Sequence, residues 1–378
     1  MAAATLFAGI PAENHAFYHR IRFAVGDPAA WMQVDDGQSL LIVRDIEMQR
    51  AKERVAVQRV ACPAEFAPAE GLSSDRATAT AQAVAQALRQ LGVDRVRVDR
   101  SLPYIFAWHV QQAGLALDYD PELGVAERRA KDAQELEWLR AAQRVTEQAM
   151  EYACGLIARA TADRNGGLKH DGEPLTSERV RGMISVYLLE RGFSNHHGSI
   201  VASVPDSADC HHAGSGPLRT GQPVIVDIFP QDLATRYWGD CTRTVVHGDP
   251  TDIVRRMHAA VLAAKQASIS EVRLGSNGDA VYRACCQAIE AHGFRMARGE
   301  ICDDPVMSHG TGHGIGLEVH EPILLDTANP PFVLGEVVTV EPGLYGRRDG
   351  GVRVEDMVAV TADGPENFNR LHEGLDWR

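Results

Sequence analysis

The stretch Ser308–Glu321, SHGTGHGIGLEVHE, decides how this chain is read. His309 and His313 are four residues apart, which on a helix would set two imidazoles on one face as a zinc pair. Glycine at 310, 312, 314 and 316 argues against a helix, since each costs roughly 1 kcal/mol in a helix interior. The segment therefore reads as extended chain. Glycine at every second position clears one face, so that a substrate or a metal can come close to the backbone. Three histidines (His309, His313, His320) in so short a run are poorly explained by packing alone.

Outward from this segment, four acids sit on strand-like runs. Asp227 closes the apolar run VIV within PVIVDIF, residues 223–229. A carboxylate in that position is headed for burial and must be paired or metal-bound. The run WGDCTRTVV, residues 238–246, is a second strand on which period-2 geometry puts Asp240, Thr242 and Thr244 on one face. Antiparallel pairing across the loop 230–237 lets Asp227 and Asp240 face each other. Late in the chain, EVVTVE (336–341) and GVRVEDMVAV (351–360) form another strand pair, joined by the turn-rich stretch 342–350. Arg353, Glu355 and Met357 then share a face. Glu355 could be a surface glutamate paired with Arg353, but the strand is too apolar for an edge. Two hairpins that each deliver two acids fit a domain of two pseudo-twofold halves meeting at one cleft.

Four carboxylates in one cleft repel, each close pair costing on the order of 4 kcal/mol at an effective dielectric near 20. Two divalent cations would cancel that charge. Oxygen ligands with one imidazole, His313, suit manganese, cobalt or zinc better than a metal that favours thiolate, and manganese is the first expectation among the three. A further pair, His211-His212, follows Cys210 on a loop ahead of Asp227.

The chain has 378 residues, a length for two or three domains. Residues 1–125 read as an α/β unit: a strand at SLLIV (39–43), helices over 45–53 and 78–91, and a strand at DRVRV (94–98). A charged helical stretch from about 127 to 160 opens a larger α+β domain, 126–378, with further helices over 177–191, 252–267 and 278–292. The net charge of −13 argues against nucleic acid or an anionic membrane as partner. No apolar run reaches 18 residues, so no membrane span is expected. Met1–Ile10 lacks a basic leader region. Seven cysteines without C-x-x-C spacing fit reduced thiols in a cytoplasmic protein.

The segments VIVDIF, GDCTRT, SHGTGHGIGLEVHE, VTVEPGLY and VRVED, spread over residues 128–361, resemble in combination and order the pita-bread metallopeptidases: aminopeptidase P, prolidase and methionine aminopeptidase. Residues 1–125 are more loosely similar to the accessory domain of creatinase, prolidase and aminopeptidase P, which methionine aminopeptidases generally lack. The resemblance implies an α+β pita-bread domain behind a smaller creatinase/prolidase-like α/β domain, and a homodimer. It implies that Asp227 holds one metal ion, that Asp240 and Glu355 bridge two, and that His313 and Glu341 hold the other. Glu341 would shuttle the proton, His211, His309 and His320 would line the substrate site, and Arg353 would stand by the metals or the proline pocket. The implied reaction is hydrolysis of the peptide bond preceding proline in a small peptide with proline in second position. Xaa-Pro dipeptides come first, with longer peptides (aminopeptidase P) or a non-catalytic peptide binder as alternatives. Two departures stand out: Asp227-Ile-Phe229 replaces the family's usual Asp-x-Gly, and the loop to Asp240 is about two residues longer.

Overall fold

Alternation along the strands builds the first unit. We describe residues 2–378 of a computed structural model, in which the chain divides into two units, Met1–Arg128 and Arg129–Arg378. In the first, six strands pair in the order Arg59–Ala61, Ser39–Ile42, Ala29–Val34, Ala2–Gly9, Val93–Val98 and Ala116–Tyr119. Ala4, Leu6, Ala30, Met32, Leu40 and Ile42 face one side, where Val84, Leu88, Phe106 and Val110 of the helices Arg76–Gln90 and Tyr104–Gln112 cover them. Phe7, Trp31 and Leu41, one residue out of phase, pack on the other side against Phe17 and Ile21 of the helix His15–Ile21 and Ala51 of Met48–Arg54. The expected helix over 45–53 is in fact a 3-10 turn, Asp45–Glu47, running into Met48–Arg54.

The second unit repeats one order of elements. A long helix, Ala133–Ala158, and a shorter one, Ser177–Leu189, precede the three-stranded sheet Ser199–Ala202, Pro223–Ile228 and Cys241–Val246. Two more helices, Asp252–Ser270 and Gly278–Ala291, precede the late strands. These form a five-stranded sheet (Glu321–Leu324, His313–Gly314, Val337–Val340, Asp356–Thr361, Gly364–Asn367) and a four-stranded one (Arg295–Met296, Val306–Met307, Gly343–Gly346, Gly350–Arg353). The helix expected over 127–160 breaks. Asp132 and Glu135 form a capping box that starts a new helix at Ala133, after the short turn Ala126–Arg129. Thr176 caps Ser177–Leu189, its hydroxyl accepting from Arg179 N at 3.2 Å.

The late strand pair differs from expectation. Residues 351–360 are two strands, interrupted at Val354–Glu355, and each half belongs to a different sheet. Val337–Val340 pairs with the far half, whereas Gly343–Gly346 pairs with the near half. Pro342, which has no N–H to donate to a ladder, marks the matching break on the other side. At both breaks the glutamate's own N–H is tied to a neighbouring ligand-bearing segment: Glu341 N to Thr311 O at 2.7 Å and Glu355 N to Thr242 O at 3.1 Å.

Ser308–Glu321 is extended, as its glycines require. Their close neighbours are protein atoms rather than an open face. A Cβ at Gly312 would fall 2.1 Å from the Thr339 carbonyl oxygen, at Gly314 2.6 Å from that of Pro322, and at Gly316 2.7 Å from the Glu321 carboxylate. The glycines admit adjoining strands, and that packing fixes the path between His309 and His320.

Candidate active site

The fold brings the five expected ligands to one cavity of about 380 Å³, lined by Asp227, Asp240, His313, Glu341 and Glu355 together with His211, His309, His320 and Arg353. Asp227 is on the central strand of the early sheet, directly opposite Thr242, so Asp240 is its diagonal neighbour. Asp240 lies one residue ahead of the strand Cys241–Val246. Gln143, from the long helix, clamps it there: its amide oxygen accepts from Asp240 N at 2.9 Å and its amide nitrogen donates to Asp240 O at 2.7 Å. Asp240, His313 and Glu355 are buried and present ligand atoms within 4.8 Å of one another. His313 Nε2 lies 3.8 Å from Asp240 Oδ2 and 3.6 Å from Glu341 Oε1.

Hydrogen bonds orient the acids without neutralising most of them. Thr242 Oγ1 donates to Glu355 Oε2 at 2.7 Å. Arg353 pairs with Asp227 at 2.6 Å, not with Glu355. Its remaining donors reach the hydroxyls of Thr242 and Tyr345 and the carbonyl of Cys210 at 3.1 Å each. The other carboxylate oxygen of Asp227, Oδ1, is buried and without a hydrogen-bond partner among the described residues. An orphaned anionic oxygen is costly unless something else, such as a cation, meets it.

Burial and mutual repulsion disturb the titration of Asp240, Glu355 and Glu341. Burial, then the charges of Glu355, Asp227 and Glu341, push Asp240 well above the usual carboxylate range. Burial, then Glu341 and Asp227, do the same to Glu355. Glu341 is pushed up to about 7 by burial, against the pull of Arg353 and with a further push from Asp227. Burial lowers His313 to about 3 and His309 to about 4, keeping both imidazoles neutral. The donor set of Asp227, Asp240, Glu341, Glu355 and His313, hard oxygens and one imidazole, fits divalent cations.

Of the remaining expected residues, His309 bonds through Nε2 to the Tyr345 hydroxyl at 2.7 Å. His320 stacks edge-on against His313, the ring centres 4.3 Å apart. His211 lines the cavity, whereas His212 turns to the loop, its Nδ1 accepting from Gly214 N at 3.0 Å. His197, Phe229, Arg298 and Asp326 also line the cavity and were not singled out as site residues from sequence. Tyr345, which braces both His309 and Arg353, was likewise missed, although it ends the VTVEPGLY segment.

The model of metallopeptidase family M24 matches residues 137–362. The chain belongs to metallopeptidase family M24. The match takes in every ligand-type residue of the cavity. A probable dipeptidase, PepE, of Mycobacterium tuberculosis is 33% identical over 201 residues, 52% of this chain and 51% of that protein. An Xaa-Pro dipeptidase of Pyrococcus furiosus is 30% identical over 179 residues, 47% of this chain and 48% of that protein. These alignments thus span about half the length of these relatives. Among solved structures, an X-Pro aminopeptidase from Thermotoga maritima superposes with a TM-score of 0.80 at 21% identity, over 98% of this chain and 96% of that one. That likeness establishes the α+β pita-bread fold. Among the described residues no helix is long and apolar enough to cross a membrane, and all seven cysteines are free.

Proposed function

We propose that this M24 member is a peptidase that hydrolyses the bond preceding proline, acting on Xaa-Pro dipeptides with the help of two divalent ions. The observation that carries the reading is the cluster itself: four acids and His313 on one cavity, Asp240 and Glu355 pushed up by burial and by their acidic neighbours, with Asp227 Oδ1 left unpartnered. Asp227, Asp240, His313, Glu341 and Glu355 would hold the ions, with Asp240 and Glu355 shared between them and manganese as the metal. When bound, such ions neutralise the acids, acidify a water and polarise the scissile carbonyl.

The chain's own groups would do the rest. Glu341, on the cavity wall 3.6 Å from His313 Nε2, would take a proton from the attacking water and return it to the departing nitrogen. The partly exposed His320 can donate a hydrogen bond to the oxygen that gains charge at the tetrahedral stage, whereas neutral His309 has its one N–H on the Gly310 carbonyl (Nδ1 to O, 2.7 Å) and its Nε2 on the Tyr345 hydroxyl, and so lines the substrate site as a fixed wall. Arg353 fixes Asp227 and so keeps one acid in register. Proline's nitrogen carries no N–H in a peptide, so its recognition must come from the shape of the pocket rather than from a backbone donor.

The test is hydrolysis of Xaa-Pro dipeptides and of longer Xaa-Pro peptides, with manganese and after chelation. Metal-dependent release of proline from dipeptides is expected. Release of the first residue from longer peptides alone would move the assignment to aminopeptidase P, and peptide binding without turnover would move it to a binding protein.

A further inference from the structure

Two guanidinium groups line the cavity, those of Arg353 and Arg298. Arg353 is spent: it is buried and committed to Asp227, Tyr345, Cys210 and Thr242. Arg298 is not. It follows the strand Arg295–Met296, its side chain is 57% exposed, and its charge is felt at His309. Its Nη2 donates to Asp326, and the Tyr282 hydroxyl lies beside it. Asp326 is itself fixed, its Oδ1 accepting from Thr327 N at 2.8 Å. An arginine has five N–H donors, so these partners aim the guanidinium and leave donors over.

The other side chains of this wall are less suited to an anion. Asp227, Asp240, Glu341, Glu355 and Asp326 are acids, His309 and His313 are neutral, and His320 is assigned above to the reacting oxygen. Yet the substrate class proposed above carries an anion very near the reacting bond. In an Xaa-Pro dipeptide the terminal carboxylate carbon is two bonds from the scissile nitrogen. An anchor for it must therefore stand in the same cavity, within reach of the histidines. Leu324 adds a second feature: it is 58% exposed despite its size and lines the cavity with Asp326, while Leu325 between them is fully buried. An apolar surface beside a braced guanidinium matches a pyrrolidine ring bearing a carboxylate.

We propose that Arg298, braced by Asp326, receives the free terminal carboxylate of the substrate and thereby selects Xaa-Pro dipeptides over longer peptides. This rests on the peptidase reading above. A longer peptide replaces the carboxylate with a neutral amide, and a guanidinium holds a neutral acceptor less strongly than a charged one.

The test compares three substrates on the full-length, manganese-loaded protein: an Xaa-Pro dipeptide, its C-terminal amide, and the tripeptide extended past proline. Wild type should favour the free acid over the amide. Arg298→Ala should reduce the acid-to-amide ratio of kcat/KM by about 10- to 100-fold, the usual weight of one hydrogen bond to a charged group. Most of the loss should appear in KM for the acid, and Arg298→Lys should restore part of the ratio. Metal content and melting temperature of the variants serve as fold controls. An unchanged ratio in Arg298→Ala, or a wild type indifferent to the terminal charge, overturns the anchor and leaves the peptidase reading standing. A wild type that cleaves none of the three overturns both.

Discussion

Glu355 and Asp356 are consecutive and both buried, and their electrostatic surroundings are opposite. Asp356 lies among cations: Arg243 Nη2 donates to its Oδ1 at 2.8 Å, Lys265 reaches its Oδ2, and Asn367 adds a bond at 2.8 Å. Burial alone would raise its pKa, but Arg243 and Lys265 outweigh it, and the group is held below the usual carboxylate range. Glu355 has one hydroxyl donor, from Thr242, and acids beyond, so it is held far above that range. The protein supplies counter-charge on one side of the peptide bond and withholds it on the other. Asp356 is therefore a structural ion, complete in itself, and Glu355 is left without a counter-charge from the protein, as the ligand role proposed for it requires. Arg243 ties the two together: its Nη1 also donates to the backbone carbonyls of Thr242 at 2.9 Å and Glu355 at 2.6 Å. The balanced network thus holds the unbalanced one in position.

Neutralising each member of this pair should have opposite consequences. Glu355→Gln should abolish turnover, by roughly 10³-fold or more given the several kcal/mol a metal contributes to such transition states. The metal-free protein should meanwhile be no less stable, because repulsion is removed. A variant that turns over like wild type would show that Glu355 is not a ligand. Asp356→Asn should cost about 3–5 kcal/mol in denaturant unfolding, since it strands Arg243 and Lys265. A loss under about 1 kcal/mol would break the contrast. His320→Ala should lower kcat by about 10²-fold, the scale of one lost oxyanion donor. Metal content should hold, and an equal loss of metal would make His320 a ligand.

The smallest effect is in pH. Glu341 has a folded-state pKa of about 7 against an ordinary 4.5. Its contribution to the stability of the metal-free protein is fully present below the ordinary value. It is lost as pH rises toward and through about 7, by one to a few kcal/mol. Melting temperatures of chelated protein should fall across that window, and saturating manganese should flatten the slope. A rise with pH in the chelated protein would contradict the picture of uncompensated acids.

What could be read from sequence follows a physical line. Pro223–Ile228 was legible because a β-branched run after Thr220-Gly221 is a local signal, and the extended path of 308–321 was legible because alternating glycine forbids a helix. The glycines' partners were not, since Thr339 and Pro322 reach them only in the folded sheet. The break at Val354–Glu355 has no local mark in a run of strand formers. It is set by the tie from Glu355 N to Thr242, more than a hundred residues away. The same holds for Asp240, placed by Gln143, and for Arg353, whose partner is Asp227 rather than the nearby Glu355. The helix start at Ala133 did carry a local signal, Asp132-x-x-Glu135, masked by the helical pattern around it. Arg298 and Asp326 lie on irregular chain with no periodicity to connect them, and the fold alone makes them neighbours.

Metal stoichiometry of the purified chain, by elemental analysis before and after chelation and after adding back manganese, tests the central claim most directly. The account predicts two divalent ions per chain in the reconstituted wild type, both disturbed in Asp240→Asn. Peptidase activity should follow the metal down and back up. A fully chelated protein that still cleaves at the untreated rate, or a wild type that retains no metal at any manganese concentration, would contradict it.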